Sequence, residues 1–315
     1  MDNENLLDLM YCIAEAGASA ARNQEPGDIT WESYYGDEKR DIDQVAEDAI
    51  VDHFESEAMN YDFDAALKPE DAEWGEEWLT DRESELVNQV EDLDYALIVD
   101  QVEGTKNYEN RDRYTTLAAI DPENPTLEGI ESAVIYRWDH TAFLSDRENA
   151  YINFEPQAEN PRQQVRNSTR FEARPLDSVG YETKIRGQMI GRNSHNYAEF
   201  MDRLIDLYNL KESEWPSLKA DGTTTGDILG TVTDKSIAVD LRALKDRERL
   251  PFAQDFAPAA KIAKDAGSKV VNEKGDPVET DFTEPGVATT FIALPPGKAS
   301  EDLEEDLPDI VEKLL

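Results

Sequence analysis

Two carboxylates and a hydroxyl follow a short apolar segment near the middle of the chain. Residues 96–99 have the length and composition of a buried strand, and Asp100, Glu103 and Thr105 come soon after them. Gly104 leaves room for all three side chains and for backbone amides to converge on a turn at the strand end. Such oxygen ligands suit Mg2+, which usually shares its coordination with water and a phosphate. The pattern is also compatible with an ordinary acidic turn.

Two predicted helices could bring further carboxylates to this turn. Apolar residues recur at helical spacing over 42–54, with Asp41 as the N-cap and Asp43 in the first turn. A later helix is predicted to begin at Asp255 as its N-cap and to end at Gly267. Capping and interaction with the helix dipole are the alternative explanations for these aspartates. An N-cap aspartate can also bind a metal.

The remaining pattern predicts a mixed α/β chain in two halves. The half 1–175 carries the carboxylate turn, the half 176–315 completes the site, and the polar stretch 155–174 lies between them. Residues 27–36 are predicted as a loop, 60–94 as a partly helical excursion and 220–225 as a hydroxyl-rich turn. Further helices are predicted from about Leu6 to Ala21, over 200–208 and from about Ser300. Strands are predicted over 114–120, 130–136, around Phe143, 178–190, 236–241, 270–271 and 291–294.

The composition is strongly acidic. The 315 residues include 70 Asp and Glu against 31 Lys and Arg, which gives a formal net charge of −39. The acidity accompanies clear amphipathic periodicity, so it indicates a folded surface resembling that of haloarchaeal proteins and adapted to a salt-filled cytoplasm. No basic stripe is present to neutralise phosphates, so nucleic acid is not expected as a partner.

Neither a signal peptide nor a membrane-spanning segment is expected, because the N-terminus is acidic and no apolar run is long enough. The sequence therefore predicts a cytoplasmic protein. Cys12 is the only cysteine, which excludes an intramolecular disulfide and a multi-cysteine zinc site and predicts a small buried residue on a helix face. The three histidines are isolated and are not expected to bind a metal.

Four segments, in order along the chain, resemble signatures of the inositol monophosphatase and fructose-1,6-bisphosphatase superfamily. DQVEGTKN, from Asp100, resembles D-P-[ILV]-D-G-[ST]-x-N, and QDFAPAAKIAKDAGSKV, from Gln254, resembles the second signature, W-D-x-A-A-[AG] leading to E-A-G-G. DIDQVAEDAI, from Asp41, is similar to a helix of archaeal members. Residues 222–242 are similar to their small-residue turn and D-x-R strand end.

This resemblance implies a layered αβαβα sandwich, formed by an N-terminal α+β half and a C-terminal α/β half. It also implies a homodimer that hydrolyses a small phosphorylated metabolite with Mg2+. The implied metal ligands are Glu76, Asp100, the Val102 carbonyl, Glu103 and Asp255. Thr105, with Asp43 and Glu76, would position the attacking water. Amides of Gly104 and Thr105 would bind phosphate, and Thr223, Thr224, Asp240 and Arg242 would contact the alcohol portion of the substrate.

The chain departs from these signatures at informative positions. Glu103 replaces an aspartate and Gln101 a proline, while Glu76 is matched only through an insertion and has Glu70 as a rival. Mg2+ demands near-ideal geometry, so the longer Glu103 side chain could weaken one metal site. The main hypothesis is therefore a Mg2+-dependent phosphomonoesterase acting on a polyol or sugar phosphate. The alternatives are a non-catalytic phosphate-binding or regulatory relative and a purely structural acidic dimer.

Overall fold

The computed structural model describes most of the chain. The described residues are 3–22, 24, 29–32, 38–68, 79–80, 93–103, 113–153, 165–180, 182–188, 194–219, 223–241, 244, 253–280, 282–283 and 290–314. Contacts divide the chain into two compact units. The first unit comprises Met1–Phe171, Phe252–Ile262 and Thr280–Val287, and the second unit comprises Glu172–Pro251, Ala263–Glu279 and Ala288–Leu315.

The first unit is built on an eight-stranded sheet and two helices near the N-terminus. In chain order its elements are α1 (Asn3–Ala21), β1 (Ile29–Glu32), β2 (Glu38–Arg40), α2 (Asp41–Glu57), β3 (Ala65–Lys68), β4 (Leu79–Thr80), β5 (Tyr95–Glu103), β6 (Tyr114–Ile120), β7 (Ile130–Arg137), β8 (Thr141–Asp146), β9 (Asn149–Asn153) and β10 (Thr169–Phe171). The strands of the large sheet lie in the order β10-β9-β8-β7-β6-β5-β3-β4, while β1 and β2 form a separate hairpin. Strand β5 is therefore internal, between β6 and β3.

One face of this sheet packs against α1 and α2. Leu97 and Val99 of β5 share a buried cluster with Leu6 and Ile13 of α1 and with Ile50 of α2. These apolar side chains recur at helical spacing along each helix and at alternate positions along the strand, as burial of a single face requires. The core therefore packs against one side of β5 as far as Val102, near its carboxyl end.

The second unit has a five-stranded mixed sheet with helices. Its elements are β11 (Lys184–Gln188), α3 (Ser194–Tyr208), β12 (Ser217–Lys219), α4 (Thr224–Thr233), β13 (Ser236–Asp240), β14 (Lys269–Val271), β15 (Phe291–Leu294) and α6 (Lys298–Leu314). Helix α5 (Ala253–Asp265) runs from the first unit into the second. The strand order is β12-β11-β13-β15-β14, and β11 pairs in parallel with β12 and β13. The carboxyl ends of these three parallel strands consequently lie at one edge.

Most predicted helices and strands are confirmed, although the strand predicted over 178–190 is limited to Lys184–Gln188. Three predictions about the strands of the first unit are wrong. Residues 29–32 form strand β1 within the predicted loop, and residues 65–68 form β3 within the predicted helical excursion. Strand β3 is AALK, without a β-branched residue, and its pairing with β5 and β4 stabilises it as a strand in spite of that weak local preference. The third error concerns β5, which continues through Glu103 and does not end at Val99.

Within the described residues, no helix is both long enough and apolar enough to cross a membrane.

Candidate functional site

The two carboxylates predicted at a turn lie within strand β5. Asp100 is 9% exposed and Glu103 is 8% exposed, and both belong to an extended, fully buried segment. In a regular strand, side chains three residues apart point to opposite faces. A regular β5 could therefore not present both carboxylates to one ligand.

A β-bulge between them changes this geometry. Asp100 pairs with Thr116 of β6 and Glu103 pairs with Tyr114, so two residues of β5, Gln101 and Val102, lie opposite the single residue between those partners. Paired residues on neighbouring strands share a face, and residues two apart on β6 also share a face. The bulge therefore brings Asp100 and Glu103 to the same face of the sheet.

The main chain of the bulge is held by side-chain hydrogen bonds. Thr115, the residue opposite the bulge, donates its hydroxyl to the carbonyl of Gln101 at 2.9 Å. The indole nitrogen of Trp138 donates to the same Thr115 hydroxyl at 3.3 Å. The amide of Val102 donates to Asp100 Oδ1 at 3.1 Å, and the Val102 side chain packs into the core. Asp100 is thus oriented by the backbone of the bulge that follows it.

Asp43 and Asp255 are carried by two different helices. Asp43 lies in the first turn of α2, as predicted, and is 7% exposed. Asp255 lies in the first turn of α5, but α5 begins at Ala253, so the prediction that Asp255 is the N-cap is wrong. Lys261 of α5 donates to the carbonyl of Arg147 at 3.2 Å, which ties this helix to the end of β8 in the first unit. Asp43, Asp100, Glu103 and Asp255 therefore all belong to the first unit.

The chemistry of these donors fits a hard divalent cation, but the group is incomplete. Carboxylate and carbonyl oxygens are the ligands that Mg2+ prefers, and Asp100 and Glu103 present two of them on one buried face. Among the described residues, however, no three His, Cys, Asp or Glu side chains are gathered closely enough to hold a metal ion. Asp255 thus does not close a triad with Asp100 and Glu103 in this structure.

The predicted substrate-contacting residues that are described lie in the second unit. Thr223 is the N-cap of α4, and its side-chain oxygen accepts a hydrogen bond from the Gly226 amide at 3.0 Å. Thr224 is the first residue of α4, so the predicted turn over 220–225 already contains the start of a helix. Asp240 is the last residue of β13 and is buried. These residues lie after β12 and at the end of β13.

Five predicted or rival site residues lie outside the described residues: Glu70, Glu76, Gly104, Thr105 and Arg242.

Sequence reasoning missed the residues that support the bulge. Thr115 is one of two adjacent threonines in a buried strand, where nothing in the local sequence distinguishes it, and Trp138 directly follows β7. Gln101 stands where the family signature has a proline. A proline has no amide hydrogen and therefore occurs in sheets mainly at edges and bulges. The proline of the signature is thus the one local signal that pairing is irregular at this position.

Comparison with known proteins identifies the fold. No protein-family model matches the sequence, and no curated protein sequence matches it. Among solved structures, fructose-1,6-bisphosphatase of Leishmania major in its holo form is similar with a TM-score of 0.67 and 16% identity over 99% of this chain and 96% of that one. An IMPase of Thermotoga maritima is similar with a TM-score of 0.63 and 16% identity over 100% of both chains. An inositol monophosphatase of Anabaena gives a TM-score of 0.60 and 13% identity over 99% and 97%.

At such low identities these likenesses show the fold alone. The layered α/β fold predicted from the sequence is therefore confirmed.

Proposed function

We propose that the chain is a phosphatase of the inositol monophosphatase and fructose-1,6-bisphosphatase type, and more specifically a Mg2+-dependent phosphomonoesterase acting on a small polyol or sugar phosphate. The observation that carries the proposal is the β5 bulge, which puts Asp100 and Glu103 on one buried face immediately before Gly104 and Thr105. The fold shared with three solved phosphatases over almost the whole chain supports it.

Each of the predicted site residues has a distinct role in this proposal. Asp100, Glu76 and the Val102 carbonyl would hold one Mg2+, and Glu103 and Asp255, together with Asp100, would hold a second. Thr105, oriented by Asp43 and assisted by Glu76, positions the attacking water. The amides of Gly104 and Thr105 bind phosphate oxygens. When bound, Mg2+ neutralises phosphate charge and lowers the pKa of coordinated water.

The substrate is recognised mainly through its phosphate. Thr223, Thr224, Asp240 and Arg242 contact its alcohol portion in this proposal. The half 1–175 carries the metal turn and the half 176–315 completes the site. The protein functions as a cytoplasmic homodimer that needs neither nucleic acid nor a membrane.

A second candidate function is favoured by one observation. Asp100, Glu103 and Asp255 do not form a three-carboxylate group, and Glu103 is one methylene longer than the aspartate of the signature. A side chain of the wrong length at a site with strict geometry weakens metal binding without changing the charge. The chain would then be a phosphate-binding or regulatory relative without catalysis.

Phosphate release decides between these functions. Inositol 1-phosphate, fructose 1,6-bisphosphate and 3′-phosphoadenosine 5′-phosphate are incubated with the protein in multimolar KCl, with and without Mg2+. Turnover that requires Mg2+ and is lost in both Asp100→Asn and Asp43→Asn supports the phosphatase. Asp52→Asn, on the exposed side of the same helix as Asp43, is the matched control and retains activity. Full activity in Asp100→Asn would contradict the proposal.

The Glu103→Asp variant separates the second candidate from the first. If the wild type binds inorganic phosphate by calorimetry but releases none from the three esters, and Glu103→Asp restores turnover, the chain is the non-catalytic relative. If the wild type already hydrolyses one of the esters, the chain is an active enzyme. Glu103→Asp is then expected to change only the Mg2+ concentration that this enzyme requires.

A further inference from the structure

One buried hydroxyl group is bonded to the main chain of the bulge in β5. At a bulge the regular ladder is disrupted, so backbone groups there need other partners. Thr115 is fully buried, and its hydroxyl donates to the carbonyl of Gln101 inside the bulge at 2.9 Å. This hydrogen bond therefore joins the Thr115 side chain to the main chain of β5 between the two carboxylates, where β5 departs from regular pairing.

A second layer of contacts orients the Thr115 hydroxyl. The indole nitrogen of Trp138 donates to Thr115 Oγ1 at 3.3 Å, so the hydroxyl hydrogen is left to point at Gln101. The guanidinium carbon of Arg113 lies 4.9 Å from the centre of the Trp138 ring, and the Trp138 amide donates to the Arg113 carbonyl at 3.1 Å. Trp138 is buried in the core cluster, which restricts the indole further.

We infer that Thr115, oriented by Trp138, is a positioning residue that fixes Asp100 and Glu103 on one face of the sheet. The inference rests on the proposed function, because it concerns the metal-binding pair of that site. Thr115 itself lies opposite the bulge and does not belong to the ligand set.

The physical reason is the period of two along a strand. Without the extra residue, Glu103 would share a face with Val99, which packs in the apolar cluster beneath α1 and α2. A carboxylate there would be separated from Asp100 by the sheet itself. A residue that stabilises the bulge therefore also helps to keep the two carboxylates on one face, and Thr115 does so through its hydrogen bond to the main chain.

The test compares three variants in their affinity for Mn2+, measured on metal-free protein by the loss of the free-ion EPR signal. Thr115→Val removes the donor while keeping the shape of the side chain, and Thr115→Ser keeps the donor. The matched control is Thr231→Val, because Thr231 is also fully buried and donates to a main-chain carbonyl, that of Ile228, at 2.8 Å in the second unit. Amide exchange at residues 100–103 is followed in the same samples.

In Thr115→Val the dissociation constant for Mn2+ is expected to rise roughly 10- to 100-fold, as for other residues that orient metal ligands. Exchange at residues 100–103 is expected to accelerate. In Thr115→Ser, the Mn2+ affinity and the amide exchange at residues 100–103 are expected to stay close to those of the wild type. Thr231→Val is expected to change neither quantity, even if it lowers the melting temperature as much as Thr115→Val does. A role limited to stability would move the melting temperature of both valine variants and leave the Mn2+ affinity alone.

Two results would overturn the inference, and they are distinguishable. Wild-type affinity in Thr115→Val, in a protein whose Mn2+ binding is lost in Asp100→Asn, would contradict the role of Thr115 and leave the proposed function intact. A wild-type protein that binds no more Mn2+ than Asp100→Asn would overturn the proposed metal site and this inference together.

Discussion

Asp100 and Glu103 bury two carboxylates on one face of one strand. Like charges that neighbour each other on a sheet face destabilise it, and burial increases the cost of each charge unless a partner compensates it. Both side chains already make polar or charged interactions in the structure, and in the proposed function a bound cation would add to that compensation.

Thr116 offers a contrast with its neighbour Thr115. Both are fully buried in β6, but among the described residues the hydroxyl of Thr116 has no hydrogen-bond partner. A buried hydroxyl without a partner costs free energy, so Thr116→Val is expected to raise the free energy of unfolding by about 1 kcal/mol. Thr115→Val is expected to lower it by about 1–3 kcal/mol, because it leaves a buried carbonyl without its donor.

Urea unfolding in multimolar KCl measures both effects as shifts of the midpoint in opposite directions. Equal shifts of the two valine variants would contradict this assignment of the two hydroxyls.

The residue types of the candidate site could be predicted from the sequence, but their geometry could not. Asp100 and Glu103 were recognised because acids follow an apolar run, and the sequence placed them on a turn. Their common face is created by pairing with β6, which is a contact between segments more than ten residues apart. The local sequence does not show which of two paired strands carries an extra residue, or at which position the bulge occurs.

At the scale of elements, segments with strong local signals were predicted well. Strands β6 and β15 have the predicted bounds because each is a continuous buried run. Helix α5 ends at Asp265, and the predicted glycine closes it, since Gly267 has φ +95° and the Ser268 amide donates to the carbonyl of Ala263 at 2.8 Å, which is the pattern of a glycine C-cap. Strand β3 was missed because its partner β5, and not its own composition, makes it a strand.

The turn between β7 and β8 is expected to make stability depend on pH. Arg22 Nη1 lies 2.8 Å from His140 Nε2, and an arginine can only donate, so this ring nitrogen accepts and is unprotonated. The Tyr136 hydroxyl lies 3.2 Å from the other ring nitrogen. Burial and the charge of Arg22 lower the pKa of His140 below 6.5, against the opposing effect of Asp139.

Between that lowered pKa and 6.5, the unfolded chain binds more protons than the folded chain at this position. The contribution of His140 to stability is therefore complete above pH 6.5 and is lost as the pH falls through the folded pKa. Glu15 acts in the opposite direction, because burial raises its pKa above 4.5, and it also faces Tyr136 and Arg22. A variant of His140 is needed to separate the pH dependence that arises from His140 from the one that arises from Glu15.

His140→Asn is that variant, because asparagine tolerates the positive φ of 76° at this position. Urea midpoints of wild type and variant are expected to differ most at neutral pH and to converge in mildly acidic buffer. Midpoints that stay parallel over this range would show that the Arg22–His140 bond does not depend on proton binding.

At the scale of the whole molecule, surface charge is the dominant property. Even if every Lys and Arg neutralised one acid, 39 acidic charges would remain uncompensated. Ion pairs such as Lys184–Asp234, at 2.8 Å, use the few basic residues available. Mutual repulsion among the remaining acids opposes the compact state unless salt screens it.

The melting temperature is therefore expected to fall when KCl is lowered from about 1 M, where the Debye length is roughly 3 Å, to about 0.1 M, where it is roughly 10 Å. Circular dichroism melts across this series measure the effect. NaCl at the same ionic strength should give the same curve, because screening depends on ionic strength and not on the cation. Sucrose, which strengthens burial without adding charge, is the control that should fail to replace the salt at low ionic strength. A cooperative melt that is unchanged after dialysis to low salt would show that the folded surface separates its acids well enough to need no screening.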